Sequence, residues 1–157
     1  LQQIQEISQQ SFNQVAGIPI INIKTTRVQK DYNNDLFNAA GLTDSATIWQ
    51  QPANSILIAA KMRLEIQFAA TGLTELDVTM GLTGDNDGLI AATMNLFSDA
   101  VDTEYYIRGA YWNEAAATGT LFKDAATDWV AYATAVGANL NTLTAGRLDF
   151  YFIWIEL

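Results

Sequence analysis

Polar and apolar positions of this chain alternate with a period of two in several stretches, two of them pronounced. The clearest case is Lys61–Phe68, where Met62, Leu64, Ile66 and Phe68 alternate with Lys61, Arg63, Glu65 and Gln67. Successive side chains of a strand point to opposite faces, so this segment predicts a strand with one buried and one wet face. Leu76, Val78, Met80 and Leu82 repeat the pattern, with Asp77 and Thr79 between them. Further strands are expected over Ile18–Val28, Thr47–Gln51, Tyr105–Ile107, Trp129–Ala135 and Arg147–Leu157. Lys30–Asp35, with Asn33-Asn34, reads as a polar turn. Residues 89–97 and 115–118 could form short helical turns.

Two segments depart from simple alternation. In the closing segment Leu148, Phe150, Phe152 and Trp154 fall on one side, and Tyr151, Ile153, Ile155 and Leu157 on the other. Apolar residues on both faces predict a central strand covered on both sides, or one exposed to a subunit interface. Residues 1–15, LQQIQEISQQSFNQV, are Gln-rich and place Leu1, Ile4 and Ile7 along one narrow helical stripe. Such a stripe makes a marginal helix in isolation. It reads as an N-terminal arm, helical or extended, that pairs with neighbours; a helix packed on its own domain and a frayed tail stay open. The expected organisation is an arm over 1–17 and an all-β, antiparallel, jelly-roll-like sandwich over 18–157, since short strands separated by turn signals indicate a sandwich or barrel.

Composition sharpens this picture. Half of the 157 residues are hydrophobic and 16% are charged. So few charges cannot cover a monomer's surface, which argues for burial against copies of the chain or a partner. The net charge is −9. Residues 1–68 are balanced and the acidic excess falls in 69–157, which suggests a docking half and an acidic, solvent-facing half. No three bases group on one face in the linear reading, so nucleic-acid binding is not expected. No segment approaches the roughly 20 apolar residues of a membrane helix, and no signal-peptide pattern is present. The first residue is Leu, which suggests a processed chain or a fragment.

Little catalytic equipment is present. The chain has no histidine and no cysteine, which removes Ser-His-Asp triads, thiolate nucleophiles, disulfides and His- or Cys-based metal sites. No phosphate-binding glycine motif occurs. The acids Asp99, Asp102 and Glu104, or Asp124 and Asp128, are the candidates for a glycosidase pair, although twelve acids in 69–157 bring such pairs together by chance. Asp85, Asn86 and Asp87, between Gly84 and Gly88, offer hard oxygens to Ca²⁺ but lack the alternating ligands and distal Glu of an EF-hand loop. A tight turn accounts for the same residues. Aromatic residues, Trp49 and Trp112 among them, could form a sugar-stacking platform, or fill the core and interfaces.

Three stretches resemble a family of β-sandwich virion structural proteins of tailed bacteriophages, which decorate heads or form head and tail appendages. They are Thr47-Ile48-Trp49 with Pro52-Ala53-Asn54-Ser55-Ile56-Leu57-Ile58; Leu76-Asp77-Val78-Thr79-Met80-Gly81-Leu82-Thr83-Gly84-Asp85-Asn86-Asp87-Gly88-Leu89; and Leu143-Thr144-Ala145-Gly146-Arg147-Leu148-Asp149-Phe150-Tyr151. The resemblance covers about residues 45–157. It implies a non-enzymatic protein without cofactor, a homotrimer displayed on the virion surface and bound to the major capsid protein or other virion proteins. A head or tail fibre module, or a carbohydrate-binding sandwich recognising host glycans, are the alternatives. The expected oligomer or docking residues are Leu1, Ile4, Ile7, Tyr151, Ile153, Ile155 and Leu157.

Overall fold

A computed structural model describes residues 4–6, 22–91, 95–106, 109–112 and 121–157. In chain order the strands are β1 (Ile4–Glu6), β2 (Ile23–Asp31), β3 (Thr43–Gln51), β4 (Ser55–Ala69), β5 (Glu75–Leu82), β6 (Asp85–Ile90), β7 (Glu104–Tyr105), β8 (Phe122–Lys123), β9 (Thr127–Val136) and β10 (Ala145–Glu156). They form two antiparallel sheets. Sheet I has the order β1-β2-β10-β4-β7, with β8 also paired to β4; sheet II has the order β3-β9-β5-β6. Consecutive strands thus pass repeatedly between the sheets, and β10 closes the fold between β2 and β4. Setting aside the short β1 and β8, this is the order of an eight-stranded jelly roll.

The alternating patterns place the core. From sheet I, Leu148, Phe150, Phe152 and Trp154 of β10 point inward with Met62 and Leu64 of β4; from sheet II come Leu76, Val78 and Met80 of β5 and Trp129, Ala131, Ala133 and Ala135 of β9. The sheets meet through aromatic contacts: Trp49 of β3 stacks on Phe152 with ring centroids 4.6 Å apart, and tilts against Trp154. The alanines of β9 leave room for these rings, as large and small residues interdigitate in a close-packed core.

One buried polar junction ties β3, β4, β9 and the 121 segment together. The Trp129 indole N–H donates to Gln51 Oε1 at 2.9 Å, and Gln51 Nε2 donates to the carbonyls of Ser55 and Leu121. Gln51 and Ser55 are fully buried, and a buried amide is tolerated where its donors and acceptor are engaged.

Several predicted boundaries move. The strand predicted over Ile18–Val28 continues to Asp31, because Lys30 points inward, its stem buried and its Nζ 2.5 Å from Asp35 Oδ1. A long aliphatic stem can fill apolar space while its end reaches an acid. β3 begins at Thr43 and β4 at Ser55, both earlier than predicted. Leu89 and Ile90 end β6 instead of opening a helical turn, since both are buried in sheet II; residues 115–118 lie outside the described residues. The helical stripe does not form over Ile4–Glu6, which is extended and pairs with Thr26–Val28. Edge pairing with β2 satisfies those backbone groups. Leu1 and Ile7 lie outside the described residues.

Candidate functional site

The outer face of sheet I gathers Tyr151, Ile153 and Ile155, three of the residues expected to dock, and several that were not expected there. Register fixes the rows that cross it. Ile23, Ile155, Ile56 and Phe122 are successive cross-strand partners on β2, β10, β4 and β8. The next row is Thr25, Ile153 and Ala59; then follow Arg27, Tyr151 and Lys61; then Gln29, Asp149, Arg63 and, on β7, Glu104. The face is therefore apolar at its β8 end and charged toward its centre. Ile153 is 37% exposed and Phe122 47%. A groove of about 380 Å³ is lined by Thr25, Ala59, Lys61, Tyr106, Tyr151 and Ile153.

The charged rows correct the expectation that no three bases share a face. Arg27, Lys61 and Arg63 do so, with Arg147 beyond them, because β2, β4 and β10 are neighbours although far apart in sequence. Each is matched by an acid: Arg27 by Asp149, Lys61 by Glu104 at 2.6 Å, Arg63 by Asp102 at 2.6 Å and Glu65 at 3.3 Å, and Arg147 by Asp31 at 2.8 Å. Arg27 Nε donates to Asp149 Oδ2 at 2.7 Å, and this hydrogen bond raises the guanidinium's pKa further. Lys61 and Arg27 also lie against the Tyr151 ring, 5.1 and 5.8 Å from its centroid. The Tyr151 hydroxyl is pushed up chiefly by burial, with the Asp149 charge adding to it.

Four of the five carboxylates considered for catalysis, all but Asp124, hold structural partners. Asp99 Oδ2 accepts the Tyr105 hydroxyl at 2.6 Å and the Asn95 N–H, and Asp102 and Glu104 hold Arg63 and Lys61. Asp128 accepts from Gln50 on the neighbouring strand. A perturbed acid that sequence reasoning passed over is Asp77, whose pKa is raised to about 6 by burial first and then by the neighbouring Glu75. Its signal was legible, since Glu75 and Asp77 are two apart on one face of an alternating strand.

The Gly84–Gly88 segment is a hairpin. Leu82 pairs with Asp85 across Thr83-Gly84, and Gly84 has φ +91°. Asp85, Asn86 and Asp87 thus begin β6, where Asn86 faces away from the two acids. Asp85 also accepts the Tyr111 hydroxyl, whose pKa is pushed up to about 12 by burial and this bond. Among the described residues no group of three or more acids could hold a metal ion. Of the tryptophans, Trp49, Trp129 and Trp154 are core residues, and Trp112 is half-buried with its indole N–H on the Leu89 carbonyl at 2.7 Å. Tyr106, 67% exposed, is the most open aromatic ring among the described residues of known burial.

The acidic excess lies in residues 69–157, and within the strands it also sorts by sheet. The strands of sheet II hold six acids (Asp44, Glu75, Asp77, Asp85, Asp87 and Asp128) and no base, whereas those of sheet I hold seven bases and six acids. The reason is topological: β7, β8 and β10 cross from the acidic half of the sequence into sheet I, and β3 crosses the other way.

No protein-family model matches the sequence, and no curated protein is similar to it. The architecture has a counterpart among solved structures. A chain of the cyanophage Pam1 capsid asymmetric unit superposes with a TM-score of 0.50 at 12% identity, covering 94% of this chain and 95% of that one. At that identity the likeness is one of fold.

Proposed function

We propose that this chain is a non-enzymatic structural protein of a bacteriophage virion, an auxiliary protein that decorates the head as a homotrimer and contacts the major capsid protein or its neighbours. The observation that carries the reading is the likeness of fold, over 94% of this chain and 95% of the other, to a chain of a cyanophage capsid asymmetric unit. The charge-poor composition and the apolar outer side of β10 support assembly, with Tyr151, Ile153, Ile155 and Leu157 as interface residues together with Leu1, Ile4 and Ile7 of the arm. The acids' engagement in structural pairs supports the absence of catalysis.

The test is immunoelectron microscopy of purified particles of the phage that encodes the chain, with antibodies against the folded protein. Label over the heads is expected. Absence of the chain from purified particles, checked by mass spectrometry, overturns the reading, and label confined to tails would reassign it to a fibre module. Light scattering tests the trimer, which requires three times the chain mass of 17.2 kDa.

A further inference from the structure

A second copy of the chain faces very different prospects at the two faces of this sandwich. An approach through sheet II meets strands that carry acids and no base, on a molecule of net charge −9. Like charges brought together there repel, and desolvating them adds to the cost. Sheet I differs in both respects. Its bases are matched by acids of the same face, so the charged rows are close to neutral. Its β8 end bears an apolar row that crosses four strands, Ile23, Ile155, Ile56 and Phe122, backed by Ile153.

We infer that this apolar end of sheet I is the surface on which a second copy of the chain docks, with the acidic sheet II left facing solvent. The inference rests on the self-associating reading above and adds which face carries it. Charge selects the occupant. A copy presenting its own sheet I brings apolar rows and charged rows already neutralised within themselves, so neither copy opposes the contact with unmatched charge. The same copy presenting sheet II would bring acids to a face whose bases are already paired. With the contact centred on the β8 end, the apolar row would form its core and the charged rows part of its rim, the usual anatomy of a protein interface. Closing the assembly through sheet I turns the acidic strands of every copy outward, which keeps one particle from adhering to another.

Light scattering on the isolated full-length chain and its variants tests this. The unsubstituted chain should show a multiple of 17.2 kDa. Ile153→Arg and Phe122→Asp should each reduce it to the single-chain mass, while Val136→Arg, at an exposed position at the end of β9 in sheet II, should leave it unchanged. Circular dichroism establishes that each variant is folded. Should either charged variant unfold, Ile153→Ser and deuterium uptake of the unsubstituted chain across a dilution series replace it. Uptake that rises on dilution at residues 23–25 and 122–123 is expected, and uptake there independent of concentration overturns the inference. An oligomer that survives both charged substitutions in folded protein overturns this interface while leaving self-association standing. An unsubstituted chain of single-chain mass overturns both, whatever the outcome of particle labelling.

Discussion

Arg27 Nε donates to Asp149 Oδ2 at 2.7 Å, while Oδ1 of the same fully buried carboxylate meets no donor among the described residues. The pair is asymmetric: Asp149 lies beneath the side chains of sheet I's outer face, and the Arg27 side chain is 28% exposed. Removing either partner therefore has different consequences. Arg27→Ala leaves the buried charge without its ion-pair partner, with the Tyr151 hydroxyl still donating to Oδ2 at 3.4 Å, and should cost about 3 kcal/mol. Asp149→Ala releases a guanidinium that can reach water and should cost about 1–2 kcal/mol, much of it for lost packing. Urea titration of both variants checks the order; equal losses would contradict the asymmetry.

Gly146 and Gly84 both have positive φ, +139° and +91°, but only one is crowded. A Cβ at Gly146 would fall within the Phe68 ring, whereas nothing lies within 4 Å of one at Gly84. Gly146→Ala should cost about 3 kcal/mol through strain and displacement of Phe68. Gly84→Ala should cost about 1 kcal/mol, from backbone conformation alone. Thermal melts of the two variants measure the difference, which vanishes if Phe68 can move freely.

Asp77 sets a pH dependence. Its carboxyl has a folded-state pKa of about 6 against an ordinary value of 3.8, burial being the first cause and Glu75 the second. The folded state therefore binds a proton that the unfolded state lacks between those values, and this contribution makes the protein more stable as pH falls from 7 through 6 toward 4. Asp77→Asn should remove that slope and raise stability at pH 7 by about 1 kcal/mol, discounted for solvent screening. Melting temperatures of both proteins at pH 7 and pH 5 test it; a parallel response would remove Asp77 as the source.

Gln51 holds three partners that cannot be replaced by water in the core. Gln51→Leu strands the Trp129 N–H and takes a donor from the Ser55 and Leu121 carbonyls, the second of which keeps the Leu57 N–H at 2.9 Å, and should cost about 2 kcal/mol. Trp129 fluorescence would report a loosened site before global unfolding. An unchanged denaturation midpoint would mean that the junction contributes little.

Calcium should not alter the protein at Asp85 and Asp87. These acids begin a strand with Asn86 turned away from them, and Asp85 is taken by Tyr111. Melting in millimolar Ca²⁺ and in chelator should coincide, and a rise in melting temperature with Ca²⁺ that is lost in Asp85→Asn would contradict this.

How much of this was legible varied with the range of the interaction concerned. The alternation at Lys61–Phe68 and Leu76–Leu82 read out both strands and most of their buried faces, because a strand's side-chain period is a local property; Ile66, expected inside, is 43% exposed beside a register shift against β10. The two-sided apolar pattern of Leu148–Leu157 left open a strand covered on both sides and one exposed to an interface; β10 is central in its sheet, flanked by β2 and β4, yet its outer side is uncovered at Ile153. Lys30 was misread as part of a turn, since nothing local indicates that its stem fills the core while its end reaches Asp35. Phe122 and Ile23 escaped notice as surface partners of Ile155. Their row exists through pairings between segments over thirty residues apart.

By itself, then, the sequence determined the all-β class, the inward face of the main strands and the poverty of catalytic groups, each set by residue type and by neighbours one or two positions away. Which strands share a sheet was decided by tertiary structure, because pairing depends on how the whole chain buries its apolar faces together. That choice converted an acidic second half into an acidic sheet. It also turned scattered bases into a matched set on the opposite face, and four separate apolar residues into one row.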